Sequence, residues 1–158
     1  MVATLEPVGT AIGRKIRQIL LDRHNENLSS LTELMLYVAD RAQHVEEVIK
    51  PALNQGKWVI CDRFFDATVV YQGSARGQDM NLIGFLNEIV TRGVRPDMTF
   101  LLDCPVDVGL NRAVRRNSSL AHRGQDRFER EALDFHIEVR RGYLELARKN
   151  HERFIVVD

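Results

Sequence analysis

Two cysteines in 158 residues, Cys61 and Cys104, leave no room for a disulfide framework. Each closes an apolar run, which suits a small buried hydrophobe in a reducing compartment, and no Cys/His spacing resembles a metal-ligand set. The five histidines, His24, His44, His122, His136 and His151, form neither a zinc nor a triad pattern and read as surface or structural residues. No stretch approaches the roughly 18 apolar residues of a membrane span, and the N-terminus lacks the basic and apolar regions of a signal peptide. The expectation is therefore a cytoplasmic chain with no membrane partner. Charge of one sign is missing too: 22 Lys plus Arg balance 22 Asp plus Glu, so no global field steers the chain onto nucleic acid. Any anion site must be local. With 44% hydrophobic and 28% charged residues and no long polar tract, disorder and collagen-like repeats are excluded, and the length fits a single domain over residues 1–158.

Periodicity orders the elements. Val2 to Leu5 is a short apolar run, and Gly13 to Leu21 places Ile16, Ile19 and Leu20 on one helical face. Ser30-Leu-Thr-Glu33 reads as a capping box opening a long helix up to Pro51, with an apolar stripe of Leu34, Leu36, Tyr37, Ala42, Val45 and Val48. Trp58 to Cys61 is a solid apolar run, as expected for a parallel strand covered on both faces. Asp79 caps a helix running to Gly93, and Met98 to Leu102 is a second buried strand. A helix from Val106 to Arg116, a loose segment Asn117 to Gly124, a helix from Phe128 to Lys149 and a final run Phe154 to Val157 complete an alternation βαβαβαβ. Such alternation implies an α/β fold with a parallel sheet flanked by helices and ligands at the carboxyl ends of the strands. Those ends are Glu6, Asp62-Arg63, Asp103 and Asp158.

Carboxylates at strand ends either cap the next helix or serve a ligand, and both readings stand for Asp103. For Asp62 the cap is disfavoured, because no helix start follows it. Arg63 carries the planar fork that grips a phosphate. The segment after it, containing Tyr71-Gln72-Gly73, reads as a loop; tyrosine and glutamine together offer a stacking surface and an amide suited to a nucleobase edge. Arg41 stands four residues after Tyr37, so the two share a helix face, as a ligand pair or as a solvated arginine beside a core tyrosine. Arg112, Arg115, Arg116, Arg123, Arg127 and Arg130 bracket the loose segment. They form either a solvated face or the lid of a phosphoryl-transfer site, where charge on the transferring group must be neutralised and water shut out.

Ordered along the chain, Glu6-Pro7-Val8-Gly9-Thr10, Tyr37-Val-Ala-Asp-Arg41, Asp62-Arg63-Phe64 with Ala67-Thr68 and Tyr71-Gln72-Gly73, Pro96-Asp97-Met98-Thr99 and Asp126-Arg127-Phe128-Glu129 resemble the bacterial thymidylate kinase family, from about Val2 to Asp158. The resemblance implies a P-loop nucleoside-monophosphate-kinase-like fold that transfers a phosphoryl group from Mg²⁺-ATP to dTMP. It places Tyr37 on the thymine ring, Arg41 on a base carbonyl, Thr68 and Gln72 near the base, and Tyr71 near the sugar. Arg63 and Arg17 would hold the monophosphate, Glu6 would face the sugar side, and Asp62 would act at the magnesium end. Arg112 would lie over the adenine of ATP with Arg115 and Arg116 beside it. A lid over about 115–127 would bring Arg123 or Arg127 to the transferring group. The resemblance also implies a homodimer, with the helix from Ser30 as the expected surface.

Departures accompany it. Leu5 stands where the family carries arginine, Val8 where it carries glycine and Ala67 where it carries serine; a β-branched Val8 would be strained if its turn required positive φ. No Gly-x-x-x-x-Gly-Lys-Ser/Thr segment occurs: the one Gly-Lys pair, Gly56-Lys57, has Pro51 in the first glycine's place and Trp58 after it. The expectation is a fragment, a truncated gene product or an incompletely represented protein, whose first, central strand and P-loop are absent and which stops short of the family's C-terminal helix. That strand belongs between Trp58–Cys61 and Met98–Leu102. Rival readings are a kinase for another pyrimidine monophosphate such as dUMP, a non-catalytic nucleotide-binding module, and RNA binding through the arginine cluster, which zero net charge disfavours.

Overall fold

The computed structural model describes residues 1–22, 24–117, 127–129 and 131–158, with the backbone alone for 116 and 117. Strand β1 (Val2–Leu5) pairs in parallel with β2 (Val59–Asp62), Val2 opposite Val59 and Leu5 opposite Asp62. Strand β3 (Thr99–Leu102) pairs in parallel with β4 (Phe154–Val157), Thr99 opposite Phe154. Among the described residues these are two separate two-stranded sheets. The strands are not covered on both faces as expected. Burial alternates along β2 and β3, and Ile60, Phe100 and Leu102 are exposed, because a two-stranded sheet has too little neighbouring structure to cover them.

Helix α1 (Ala11–Leu21) begins at Thr10, whose Oγ1 accepts from the Gly13 amide at 2.9 Å. Its Leu20 and Leu21 pack on Tyr37 of α2 (Ser30–His44), with Ile16, Leu28 and Leu36 around them. The cap of α2 is Ser29, not Ser30: its hydroxyl accepts from Thr32 N at 3.1 Å, and Glu33 is buried elsewhere instead of closing a capping box. Nor does the helix stop at Pro51. It passes through a π-type stretch, Val45–Ile49, into α3 (Lys50–Asn54). The Lys50 amide bonds Val45 O, five residues back, and this wider turn displaces the carbonyls that Pro51's ring would otherwise meet. Leu34 and Val38 of α2 pack on Ile83 of α5 (Met80–Thr91), a helix capped by Asp79 as expected.

The segment after β2 is a correction of substance. It is helical, as α4 (Phe65–Thr68) running into a π-type stretch Val69–Ala75, where the sequence reads as a loop. A helix start therefore does follow Asp62, but Phe64 occupies the cap position and Asp62 plays no part in it. The β-branched pair Val69-Val70 and Gly73 hide the helix from propensity reasoning; tertiary packing supplies it. Helix α7 (Leu133–Lys149), which starts five residues later than Phe128, lies on this stretch, and a Cβ at Gly142 would sit 2.9 Å from Ser74 Oγ. Helix α6 (Val106–Asn117) follows β3. Asp103 does not cap it but takes both bonds of the Arg140 guanidinium, at 2.8 and 2.7 Å. Most of the expected loose segment and lid, 118–126, lies outside the described residues.

Two smaller expectations also change. Cys61 and Cys104 are free thiols as expected, but each is half-buried rather than buried. Val8 carries no strain: among the described residues positive φ outside glycine occurs at Arg63 and Arg92.

Candidate functional site

Glu6, Tyr37, Arg41, Arg63, Phe64, Ala67, Thr68 and Gln72 line one cleft that opens to solvent. They arrive from four places: the end of β1, the buried face of α2, the end of β2, and α4 with its π-type extension. The extension matters, because helical winding turns Thr68 and Gln72 onto one face, where a loop would leave them unaligned. Tyr37 and Phe64 supply ring surface, both nearly buried. Burial pushes the Tyr37 hydroxyl up to about 12, with the Arg63 charge pulling the other way, so it stays protonated at neutral pH.

Arg41 is sealed from solvent and fixed on two sides. Its Nε and Nη2 donate to Glu6 Oε2 at 3.0 and 2.8 Å, its Nη1 donates to Asn87 Oδ1 at 2.9 Å, and it lies 5.6 Å from the centre of the Phe64 ring. Glu6 in turn meets Nδ1 of the fully buried His44 at 3.1 Å, and His44 Nε2 meets Thr4 Oγ1 at 2.7 Å. Asp40 completes the cluster with both carboxylate oxygens buried and lacking a hydrogen-bond partner among the described residues. Burial, reinforced by the Glu6 charge, pushes its carboxyl up to about 7.

The opposite wall hangs on Glu33, which is 1% exposed. Its Oε1 accepts from Gln72 Nε2 at 2.9 Å and Arg76 Nε at 3.3 Å, and its Oε2 from Arg76 Nη2 at 3.4 Å and from Arg127 Nη2. Burial pushes the Glu33 carboxyl up, but the bonds from Arg127 and Gln72 and the charge of Arg76 outweigh it and hold it below the ordinary value. Arg127, expected in the lid, thus has its guanidinium on Glu33 and on Leu20 O at 2.7 Å.

Arg63 has φ of +65°, a left-handed conformation that costs a non-glycine residue free energy. Its guanidinium lies 4.4 Å from the centre of the Tyr71 ring, set against tyrosine. Tyr71 itself packs edge-on against Phe128 and Tyr143 and does not line the cleft. Arg17 is half-buried on α1, Arg112 and Arg115 are exposed on α6, and none of the three lines the cleft. The side chain of Arg116 and the whole of Arg123 lie outside the described residues. Asp62 is exposed at the end of β2.

Sequence reasoning missed Asn87, Arg76 and the roles of Glu33, Asp40 and His44. The signal was present on α2, where Glu33, Tyr37, Asp40, Arg41 and His44 recur at spacings of three and four and so share one face.

The thymidylate kinase family model matches residues 1–158. The chain belongs to the thymidylate kinase family. It is 54% identical over 158 residues to the thymidylate kinase of Desulfosudis oleivorans, covering 99% of this chain and 74% of that protein. It is likewise 54% identical to that of Pelobacter propionicus, covering 100% of this chain and 72% of the relative. The crystal structure of the Ehrlichia chaffeensis thymidylate kinase superposes with a TM-score of 0.74 at 35% identity, over 99% of this chain and 71% of that one. Thymidylate kinases are nucleoside monophosphate kinases, so the family is one of ATP-dependent phosphotransferases, and the α/β fold expected from the sequence stands. Among the described residues no helix is long and apolar enough to cross a membrane.

Proposed function

We propose that the cleft holds the base end of dTMP and that the chain serves phosphoryl transfer from ATP to dTMP, giving dTDP. The observation that carries this reading is the meeting of Tyr37, Phe64, Arg41, Arg63, Thr68 and Gln72 in one cleft. The Tyr37 ring stacks on a flat base, a pinned guanidinium donates to a base carbonyl, and Thr68 and Gln72 meet the edge. Arg63, with Arg17 beyond the cleft, holds the 5′-phosphate; Tyr71 acts from behind Arg63, and Glu6 acts through Arg41 rather than on the sugar.

In the reaction a 5′-phosphate oxygen of dTMP attacks the γ-phosphorus, and the bond from that phosphorus to the bridging oxygen of ADP breaks in line. Positioning and charge neutralisation do the chemistry, so no nucleophile–base pair is needed. Among the described residues no group of three or more His, Cys, Asp or Glu could hold a metal ion. A lone exposed carboxylate such as Asp62 still fits Mg²⁺, which takes one or two carboxylates and relies on substrate phosphates and water for the rest. When bound, that ion neutralises charge on the donor phosphates. Arg112, Arg115 and Arg116 are the proposed donor-side arginines, with Arg123 and Arg127 on the lid over about 115–127. A cytoplasmic homodimer pairing through α2 belongs to the same reading.

Titration calorimetry of the folded chain with dTMP, dUMP and AMP tests the reading. The expected result is heat with dTMP, none with AMP, and loss of dTMP binding in Arg41→Ala and in Arg63→Ala. Full binding by either variant overturns the assignment of the cleft. A second reading is a nucleotide-binding module without transfer. It predicts dTMP binding with no dTDP formed from ATP.

A further inference from the structure

Gln72 and Arg41 both line the cleft, but their fixing partners give them opposite hydrogen-bonding characters. An arginine only donates. A glutamine amide both donates and accepts, and which end faces a ligand depends on what holds the other end. Here the other end is held by Glu33, an ionised carboxylate that can only accept. The Gln72 NH₂ group must therefore turn to Glu33, as the 2.9 Å contact from Nε2 to Oε1 records. None of the described residues donates to the Gln72 oxygen. The four contacts to Glu33, one from Gln72, two from Arg76 and one from Arg127, occupy its acceptor capacity and leave it no freedom to release the amide.

We infer that Glu33 is a specificity-determining positioning residue: by fixing the amide of Gln72 it presents a carbonyl oxygen to the base, so that the cleft selects a pyrimidine with a ring N–H beside a carbonyl. This rests on the proposed acceptor site, with the base carbonyl toward Arg41. In that pose thymine offers its C4 carbonyl to the guanidinium and its N3–H to the Gln72 oxygen. Cytosine in the same pose sets an amino group against a guanidinium and an unprotonated N3 against a carbonyl, leaving two buried polar contacts repulsive. Glu33 touches neither the base nor the reacting atoms and acts through Gln72.

The test is the ratio of dTMP to dCMP affinity, measured by calorimetry on the full chain for wild type, Glu33→Gln and the exchanged pair Glu33→Gln with Gln72→Glu. An amide in place of the Glu33 carboxylate can donate as well as accept, so Gln72 is free to flip. The expected result is a fall of about tenfold or more in the dTMP/dCMP ratio, the equivalent of one hydrogen bond. In the exchanged pair the amide now on α2 donates, and the carboxylate now on the π-type stretch again presents an acceptor to the base, so the ratio recovers. A purely structural Glu33, anchoring Arg76 and Arg127, predicts that both nucleotides weaken together with the ratio unmoved, and that result overturns the inference while leaving the acceptor site standing. Wild-type chain that binds neither nucleotide overturns both. Should Glu33→Gln fail to fold by circular dichroism, Glu33→Asp replaces it, keeping a charge for Arg76 and Arg127 while drawing the carboxylate back from the Gln72 amide: a fallen ratio supports the inference, and an unchanged one refutes it.

Discussion

Asp40 is the residue whose surroundings fit it least. Its carboxyl is buried against α1, where a Cβ at Gly13 would collide with Oδ1, and it faces Glu6, Arg41 and His44 without a hydrogen bond of its own. With a folded value of about 7 against an ordinary 3.8, Asp40 keeps in the folded state a proton that the unfolded chain has released. Between those two values the folded state binds more protons, so stability is greatest below about pH 4 as far as this group is concerned, and falls as pH rises toward 7. Asp40→Asn removes that dependence and is expected to stabilise the chain by about 2 kcal/mol at pH 8 and by little at pH 4. Urea unfolding at the two pH values checks it; equal slopes with pH in wild type and variant would count against the assignment. Arg41, Gln72 and Thr68 were legible in the sequence as motif residues. Glu33 was read as a cap because local spacing cannot reveal a partner such as Gln72, 39 residues away.

At the scale of single elements, sequence reasoning placed every strand to within a residue and most helices. Its errors fall where a helix departs from regular winding, where a cap has two candidates, and at the start of α7, which comes five residues later than expected. Ser29 and Ser30 are adjacent and chemically equivalent, and only the bond from Thr32 N decides between them. Ser29→Ala is expected to cost about 1 kcal/mol and Ser30→Ala less than about 0.5 kcal/mol, read as shifts in the urea midpoint. The reverse order would return the cap to Ser30. Both π-type stretches, Val45–Ile49 and Val69–Ala75, escaped the sequence reading because a 3.6-residue period does not describe them. The second of them carries Gln72, so the winding that propensity failed to show is the winding that builds one wall of the cleft.

Across the whole molecule, the two sheets share no hydrogen bonds among the described residues, and other contacts must hold them together. One is the seating of α7 on Val69–Ala75 at Gly142. Another is Arg153, just before β4, which grips Asp66 of α4 at 2.7 and 2.8 Å and also donates to Thr99 Oγ1 at 3.0 Å. This ion pair is largely buried, so removing one partner strands the other. Asp66→Ala is expected to destabilise the chain by about 2–3 kcal/mol, whereas removing both charges in Asp66→Ala with Arg153→Met costs less than the sum of the single changes. A double-mutant cycle in urea checks this, and additive costs would mean that the pair does not join the halves.

By itself the sequence determined the α/β alternation, the strand positions, the family and a set of candidate site residues, because these depend on local periodicity and short motifs. Only the tertiary structure decided which of those residues share a cleft and what each polar group is free to do there. The hydrogen bonds that orient Arg41 and Gln72 come from Glu6, Asn87 and Glu33, separated from them by 35, 46 and 39 positions along the chain. Whether an amide presents its oxygen or its nitrogen depends on partners that folding alone brings within three ångströms.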